Sequence, residues 1–264
     1  MPRLTVCGDS FMSATSSQGS RSDVLDSEGR HFTEILAAKL GYEYRTFARG
    51  ASSLALIALQ VEQALREGGD FILVADTTPG RLEFPYRAAR PRFNQKPISV
   101  YDFDYSAYPD LSARNPNFKS GQFISETLSN MLDHQGNLVE NFYYDLTETK
   151  VSALKDYVLE LYNEPLAQKK NSWISQAIVD SLRQSGRDWL FIFNAGSCSF
   201  SPVLDRDRDP RLIKQKELLP LNYVDRSPRR WHTTDQSQQL LAELYAGYIK
   251  DHNILTLHSQ SNKG

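Results

Sequence analysis

Four short hydrophobic runs along the chain have the length of buried β-strands. They are Leu4–Cys7, Tyr42–Phe47, Phe71–Ala75 and Trp189–Phe193. The last two are unbroken apolar runs, whereas a strand with one solvent-facing side alternates apolar and polar residues. Unbroken runs of this length are typical of strands covered on both faces, as in a parallel sheet.

Between these runs, apolar residues recur at helical spacing. The stripes lie in residues 32–40, 54–65 and 240–248, and Gly41, directly after the first stripe, is a typical helix end. Strands that alternate with amphipathic helices predict the α/β class. We expect a doubly wound, flavodoxin-like parallel sheet with helices on both faces, in three α/β/α layers.

The interval from about residue 84 to residue 170 interrupts this alternation. It opens with several prolines and an aromatic-rich stretch, Tyr101–Tyr105, which are typical of loops. Helical patterns return at Ile124–Met131 and Val151–Tyr162, and Trp173–Leu182 leads into the fourth strand. We therefore expect one domain over residues 1–264, in which residues 84–170 form a large helical and loop insert or a cap.

Composition excludes several classes of partner. The 264 residues carry a formal net charge of −2, so no overall field attracts nucleic acid or an anionic membrane. The first apolar run is too short for a secretory leader, so we expect synthesis in the cytoplasm.

Cys7 and Cys198 lie in or beside apolar segments, and we expect buried thiols rather than a disulfide or a metal site.

A candidate nucleophile follows the first strand. Gly8-Asp9-Ser10 places Ser10 at the carboxyl end of that strand, the edge at which open α/β sheets bind ligands. A serine there acts as a nucleophile if a base can reach it. The alternative is that Asp9 and Ser10 only cap a helix.

Three further segments make the catalytic interpretation stronger. Phe47–Ser53 follows the second strand, Asp76–Glu83 follows the third, and Trp231–Asp235 precedes the last helical stripe. Together with Val6–Phe11, these segments resemble the motifs of the SGNH/GDSL hydrolases. The Asp76–Glu83 segment is similar to a subgroup, frequent in phage and marine bacterial genomes, with a threonine and an Arg-x-Glu after the third strand. The resemblance covers residues 4–83 and about 189–250.

The resemblance implies a role for each segment. Ser10 would be the nucleophile and His232 its general base, because a neutral histidine accepts a proton well near pH 7. The oxyanion of the intermediate needs at least two convergent donors. The backbone N–H groups of Ser10 and Gly50 would supply them, with the hydroxyl of Thr77 or Thr78 as a third donor.

The sequence departs from the family at two positions. A threonine stands where the family has an asparagine donor, and Arg229 stands three residues before His232, where an aspartate normally orients the histidine. Asp225, Asp235 or a backbone carbonyl is left for that task. The absence of the usual aspartate favours a second interpretation, in which the fold is kept without efficient catalysis.

Two arginines are candidates for substrate binding. Arg81 and Glu83 lie two apart in a strand-like stretch and would share a face, where an ion pair would clamp the site. Alternatively, Arg81 binds an anionic group of the substrate. Arg229 stands beside His232 and would steer an anionic substrate.

The sequence thus predicts a serine esterase of SGNH type that acts on a small-molecule, glycan or lipid ester and needs no metal or organic cofactor. The alternative is a weak or inactive SGNH-fold protein, serving as a phage structural component or a glycan-binding module. Virion proteins or further copies of the chain would then be its partners, and it would be virion-associated. A flavodoxin-like nucleotide binder is disfavoured, because the first loop has a single glycine and lacks the dinucleotide fingerprint.

Overall fold

The computed structural model describes residues 1–9, 11–12, 30–50, 52–77, 80–85, 90–91, 98–99, 122–127, 144–145, 152–153, 156–193, 209–214 and 235–256. In chain order the elements are β1 (Arg3–Cys7), α1 (Phe32–Leu40), β2 (Glu43–Thr46), α2 (Leu54–Glu67), β3 (Phe71–Ala75), β4 (Arg81–Pro85), β5 (Arg90–Pro91), β6 (Ile98–Ser99), β7 (Gln122–Thr127), β8 (Tyr144–Asp145), a π-helical turn (Tyr157–Leu161), α3 (Glu164–Gln184), β9 (Asp188–Phe193), β10 (Leu212–Lys214) and α4 (Asp235–Asp251).

Five strands form a parallel sheet with the order β2-β1-β3-β9-β10. This order is the flavodoxin-like one, so the predicted doubly wound α/β fold is confirmed. All four predicted strands are present. The three-residue β10 was not predicted, because so short a run has no distinct pattern and is defined by its pairing with β9.

Helices cover both faces of the sheet. On one face, α1 and α4 pack their apolar stripes on β1, β3 and β9, with Leu36, Leu241 and Tyr245 fully buried or nearly so. On the other face, α2 and α3 bury Ile57, Val179 and other residues of their stripes. Strands β3 and β9 therefore contact core on both sides, which explains their unbroken apolar sequence.

The ends of α1 illustrate how the sequence fixes these helices. His31 caps its first turn: the ring accepts a hydrogen bond from Thr33 N, and the Glu34 carboxylate accepts one from His31 N at 3.0 Å. Gly41 ends the helix in the left-handed conformation that glycine adopts without strain. His31 is itself buried at the start of the helix.

Part of the interval after β3 forms two small antiparallel sheets, with the orders β4-β7-β6 and β5-β8. The helix predicted from Ile124 is wrong for residues 124–127, which belong to β7. The apolar spacing there was compatible with a helix, but pairing with β4 satisfies the backbone of this segment instead. The helix predicted over Trp173–Leu182 is confirmed within α3.

The chain that follows α4 forms no strand over residues 252–256. Instead, Ile254 is buried, and Thr256 donates to the Asp188 carboxylate through its backbone N–H at 3.0 Å and its hydroxyl at 2.6 Å. This contact fastens the tail to the start of β9. No helix in the described ranges is long and apolar enough to cross a membrane.

Candidate active site at the carboxyl edge of the parallel sheet

The loops that follow β1, β2 and β3 meet at one edge of the parallel sheet. Strand order reverses between β1 and β3, so the chain leaves these two neighbours toward opposite faces and a crevice opens between them. The second loop is joined to the first through a hydrogen bond from Arg49 N to Gly8 O of 3.1 Å. The predicted motif segments therefore converge where such sheets bind ligands.

Gly8 starts the first loop in a conformation that a larger residue adopts poorly. Its φ is +154°, and an added Cβ would lie 2.8 Å from Met12 Cβ and 2.6 Å from Met12 Cγ. Met12 is itself buried in the core under the loop. The glycine thus lets the chain turn tightly over Met12 directly before Asp9.

Replacing Gly8 with alanine should lower the free energy of unfolding by about 2–4 kcal/mol, since overpacking and an unfavourable φ both contribute. Urea denaturation would measure the change. Gly247→Ala in α4 is the matched control, because nothing lies within 4 Å of an added Cβ there. That control should be neutral or stabilise by about 0.5–1 kcal/mol. Equal stability of the two variants would contradict a steric requirement for Gly8.

The Asp9 carboxylate organises the site. It is buried and accepts three hydrogen bonds: Phe11 N donates to Oδ1 at 2.9 Å, while Thr77 Oγ1 and an Arg81 Nη donate to Oδ2 at 2.7 and 2.9 Å. Met12 N also donates to Asp9 O at 3.1 Å. The carboxylate and carbonyl of Asp9 thus hold the backbone of Phe11 and Met12, which directly follow position 10.

Arg81 forms its ion pair with Asp9 and not with Glu83. The two side chains are 8% and 2% exposed, and the Glu83 residue is exposed at the surface. The predicted clamp beside the site therefore exists with a different partner, 72 positions away. The other terminal nitrogen of Arg81 donates to Ser52 O at 2.9 Å. Both terminal nitrogens thus donate inside the protein and the side chain is 8% exposed, so the guanidinium offers little surface to a substrate anion.

A second set of contacts fastens the loops to α2. Gln60, on the buried side of α2, accepts from Gly8 N at 2.7 Å and donates to Ser52 Oγ at 3.0 Å. Ser52 Oγ in turn donates to Arg49 O at 3.0 Å. These bonds satisfy buried polar groups that would otherwise be costly, and they fix the first and second loops relative to each other.

The Thr77 hydroxyl is already committed. A hydroxyl has one hydrogen, and that of Thr77 is donated to Asp9 Oδ2. Thr77 is also 1% exposed, so its oxygen is covered. Thr78, the other threonine named as a third oxyanion donor, lies outside the described residues.

The other predicted site residues are placed as follows. Gly50 is buried in the turn after β2, between Arg49 and Ser52. Ser10, His232, Asp225 and Arg229 lie outside the described residues, as does Cys198. Described residues flank Ser10 on both sides, and α4, the helix that follows His232 in sequence, begins at Asp235.

Cys7, next to Gly8, is a packing residue. It is fully buried, and burial raises the pKa of its thiol, so the group stays protonated and poorly nucleophilic. Within the described ranges, no cluster of three or more histidine, cysteine, aspartate or glutamate residues has the geometry to hold a metal ion.

The sequence pattern did not reveal the parts played by Asp9, Ser52 and Gln60. Gln60 gave one usable signal, because it is a polar residue on the apolar stripe of α2, between Ile57 and Val61. A polar side chain in that position must find partners inside the protein. Asp9 and Arg81 gave no such signal, since only the tertiary fold brings them together.

Comparison with known proteins adds similarities of low sequence identity. No protein-family model and no curated protein sequence matches the chain. Among solved structures, the acetyl xylan esterase AlAXEase is 11% identical with a TM-score of 0.42, covering 94% of this chain and 99% of its own. An acetyl xylan esterase from the rumen bacterium Butyrivibrio proteoclasticus is 10% identical with a TM-score of 0.44, and the match covers 96% of this chain and 64% of that one. A proposed SGNH hydrolase from Slackia heliotrinireducens is 13% identical with a TM-score of 0.31, covering 94% of this chain and 98% of its own. Likeness at this level does not identify an activity.

Proposed function

We propose that the protein is a serine esterase of SGNH type, with Ser10 as nucleophile and His232 as general base. Ser10 would attack the ester carbonyl, and His232 would take the serine proton and pass it to the leaving alcohol. Water would then hydrolyse the acyl-enzyme with His232 again as base. No metal or organic cofactor takes part in this scheme.

One observation carries the proposal: the buried network that holds both sides of position 10. Thr77 and Arg81 donate to the Asp9 carboxylate, and Gly8 N donates to Gln60. On the other side of position 10, the backbone N–H groups of Phe11 and Met12 donate to Asp9. If Ser10 only capped a helix, a local turn would be enough, and the network that joins the three loops around it would have no purpose. Such an arrangement suits a nucleophile, which must be held close to its productive geometry.

The oxyanion would be held by the backbone N–H groups of Ser10 and Gly50, with the Thr78 hydroxyl as third donor. The Thr77 hydroxyl is given to Asp9, which supports Thr78 over Thr77. Preorganised donors in a site shielded from water stabilise the developing negative charge strongly. The backbone bond between Arg49 and Gly8 keeps the Gly50 turn beside the first loop.

Replacing each threonine with valine would separate the two roles. Thr77→Val removes a donor from a buried carboxylate and should lower the free energy of unfolding by about 1–3 kcal/mol. Thr78→Val should leave stability unchanged and lower kcat by about 10²-fold. Urea denaturation and ester kinetics on both variants would measure this. A Thr77→Val protein of normal stability but low kcat would contradict this assignment, because it would show that Thr77, and not Thr78, is the oxyanion donor.

Asp225 is our first choice to orient His232, with Asp235 or a backbone carbonyl as alternatives. Arg229 stands at the position where the family has its aspartate, and there it would contact an anionic part of the substrate. Loss of the orienting carboxylate costs about 10⁴-fold in well-studied triads. The position of Arg229 therefore favours a second candidate function, a weak or inactive SGNH-fold protein that binds glycans or virion proteins.

The two candidate functions are distinguished by hydrolysis of p-nitrophenyl esters of increasing acyl length, alongside an acetylated polysaccharide. The esterase proposal requires saturable release of p-nitrophenolate above the uncatalysed rate for at least one of these esters. Acetate release from the polysaccharide would identify a glycan ester as substrate. Binding of the polysaccharide without hydrolysis of any ester would support the binding module and overturn the esterase.

A further inference from the structure

Arg81 occupies an unusual position for a charged side chain. It opens β4, the strand that begins the β4-β7-β6 sheet, yet its guanidinium reaches the edge of the parallel sheet. There its side chain is only 8% exposed. Burial of a cation is costly unless the group is paired and hydrogen-bonded, so this placement calls for a function.

The two terminal nitrogens of Arg81 bridge two different loops. One donates to Asp9 Oδ2 in the first loop at 2.9 Å, and the other donates to Ser52 O in the second loop at 2.9 Å. The planar guanidinium fork fixes the distance and angle between these two acceptors. A lysine ammonium supplies the same charge but not the same fork.

We infer that Arg81 is a positioning residue, which locks the Asp9 carboxylate against the second loop and so fixes the turn that carries the nucleophile. The inference rests on the proposed function. Asp9 transmits the constraint, because its Oδ1 accepts from Phe11 N and its carbonyl accepts from Met12 N. Position 10 lies between these anchors. The same bridge ties the Gly50 turn, with its oxyanion donor, to the nucleophile turn through Ser52.

The test compares Arg81→Lys and Arg81→Met with a matched arginine variant. Arg187 is partly buried and donates to two backbone carbonyls, those of Leu65 and Gly69, but it lies before β9 at the opposite edge of the sheet. Arg187→Met therefore removes a similar set of bonds far from the site. Circular dichroism and thermal melting would establish that each variant is folded at the assay temperature.

Three readouts separate positioning from a merely structural role: kcat, the rate of fluorophosphonate labelling and amide hydrogen exchange. In Arg81→Met, kcat for p-nitrophenyl acetate and the rate of fluorophosphonate labelling should both fall by about 10²-fold while KM changes less than about threefold. Hydrogen exchange of the Phe11 and Met12 amides should accelerate by about tenfold or more, with the amides of β3 unchanged. Arg81→Lys should lie between Arg81→Met and the native protein in each readout. Arg187→Met should match the native protein in kcat, labelling rate and amide exchange.

The outcomes distinguish this inference from the proposed function. Arg81→Met and Arg81→Lys proteins that label at the native rate overturn the positioning role and leave the esterase intact. A native protein that does not label at Ser10 overturns the esterase and, with it, the catalytic part of the inference. The exchange measurement then still decides whether Arg81 orders the turn. If Arg81→Met does not fold, a native labelling rate in Arg81→Lys overturns the positioning role.

Discussion

Replacing Ser10 with alanine should reduce ester hydrolysis by at least about three orders of magnitude, to the level of the uncatalysed reaction. The hydroxyl is the only atom that forms the acyl bond in the proposed mechanism, so its loss removes the covalent route entirely. KM would lose its meaning, because no saturable turnover is left. Steady-state release of p-nitrophenolate from p-nitrophenyl acetate measures the effect.

Ser185→Ala provides the control for this change. Ser185 ends α3, where its hydroxyl donates to Leu182 O, and it lies away from the carboxyl edge of the sheet. This variant should keep native kcat and KM. A Ser10→Ala protein that retains more than about a tenth of native turnover would show that another group attacks the ester.

Replacing His232 with alanine should lower kcat by about 10³-fold or more, because Ser10 would then have no base to accept its proton. The fall should be smaller at high pH, where hydroxide removes the serine proton without help. Substrate binding does not need the imidazole, so KM should change little. A pH profile of kcat for the native and variant proteins measures both effects.

His252→Ala is the matched histidine control. His252 follows α4 directly, where its ring stacks on Tyr248 with centroids 4.0 Å apart, and it is exposed. We expect native kinetics for this variant at every pH. Loss of activity in His252→Ala together with native activity in His232→Ala would show that His232 is not the general base.

The fold was largely predictable because its strands are buried on both sides. Phe71–Ala75 and Trp189–Phe193 have no polar interruption, and such runs are typical of strands in a parallel sheet covered on both faces. The end of α1 was equally clear, since Gly41 directly after the apolar stripe is a local signal. By contrast, β7 was mistaken for a helix, because its partner strand β4 lies about forty residues earlier and local spacing alone does not reveal the pairing.

The candidate site was predictable only where a motif is local. Gly8-Asp9-Ser10 marks the first loop, but the partner of Arg81 could not be read from sequence. Local spacing suggested Glu83, two residues away, whereas the folded chain brings Asp9 to the guanidinium. The hydrogen bond from the Thr77 hydroxyl to Asp9 could not be predicted either, because these residues also meet only in the folded chain. The sequence offered only helix capping as a role for the Asp9 side chain, as the alternative to a catalytic motif. In the structure, this carboxylate is the centre of a network that joins three loops.

The most direct test of the central claim is covalent labelling of the native protein with a fluorophosphonate probe, followed by mass mapping of the modified peptide. Our account predicts one phosphonyl group per chain, located on Ser10, and no labelling of the Ser10→Ala variant under the same conditions. Labelling that survives this substitution, or a native protein that is not labelled at all, would contradict the assignment of Ser10 as the nucleophile.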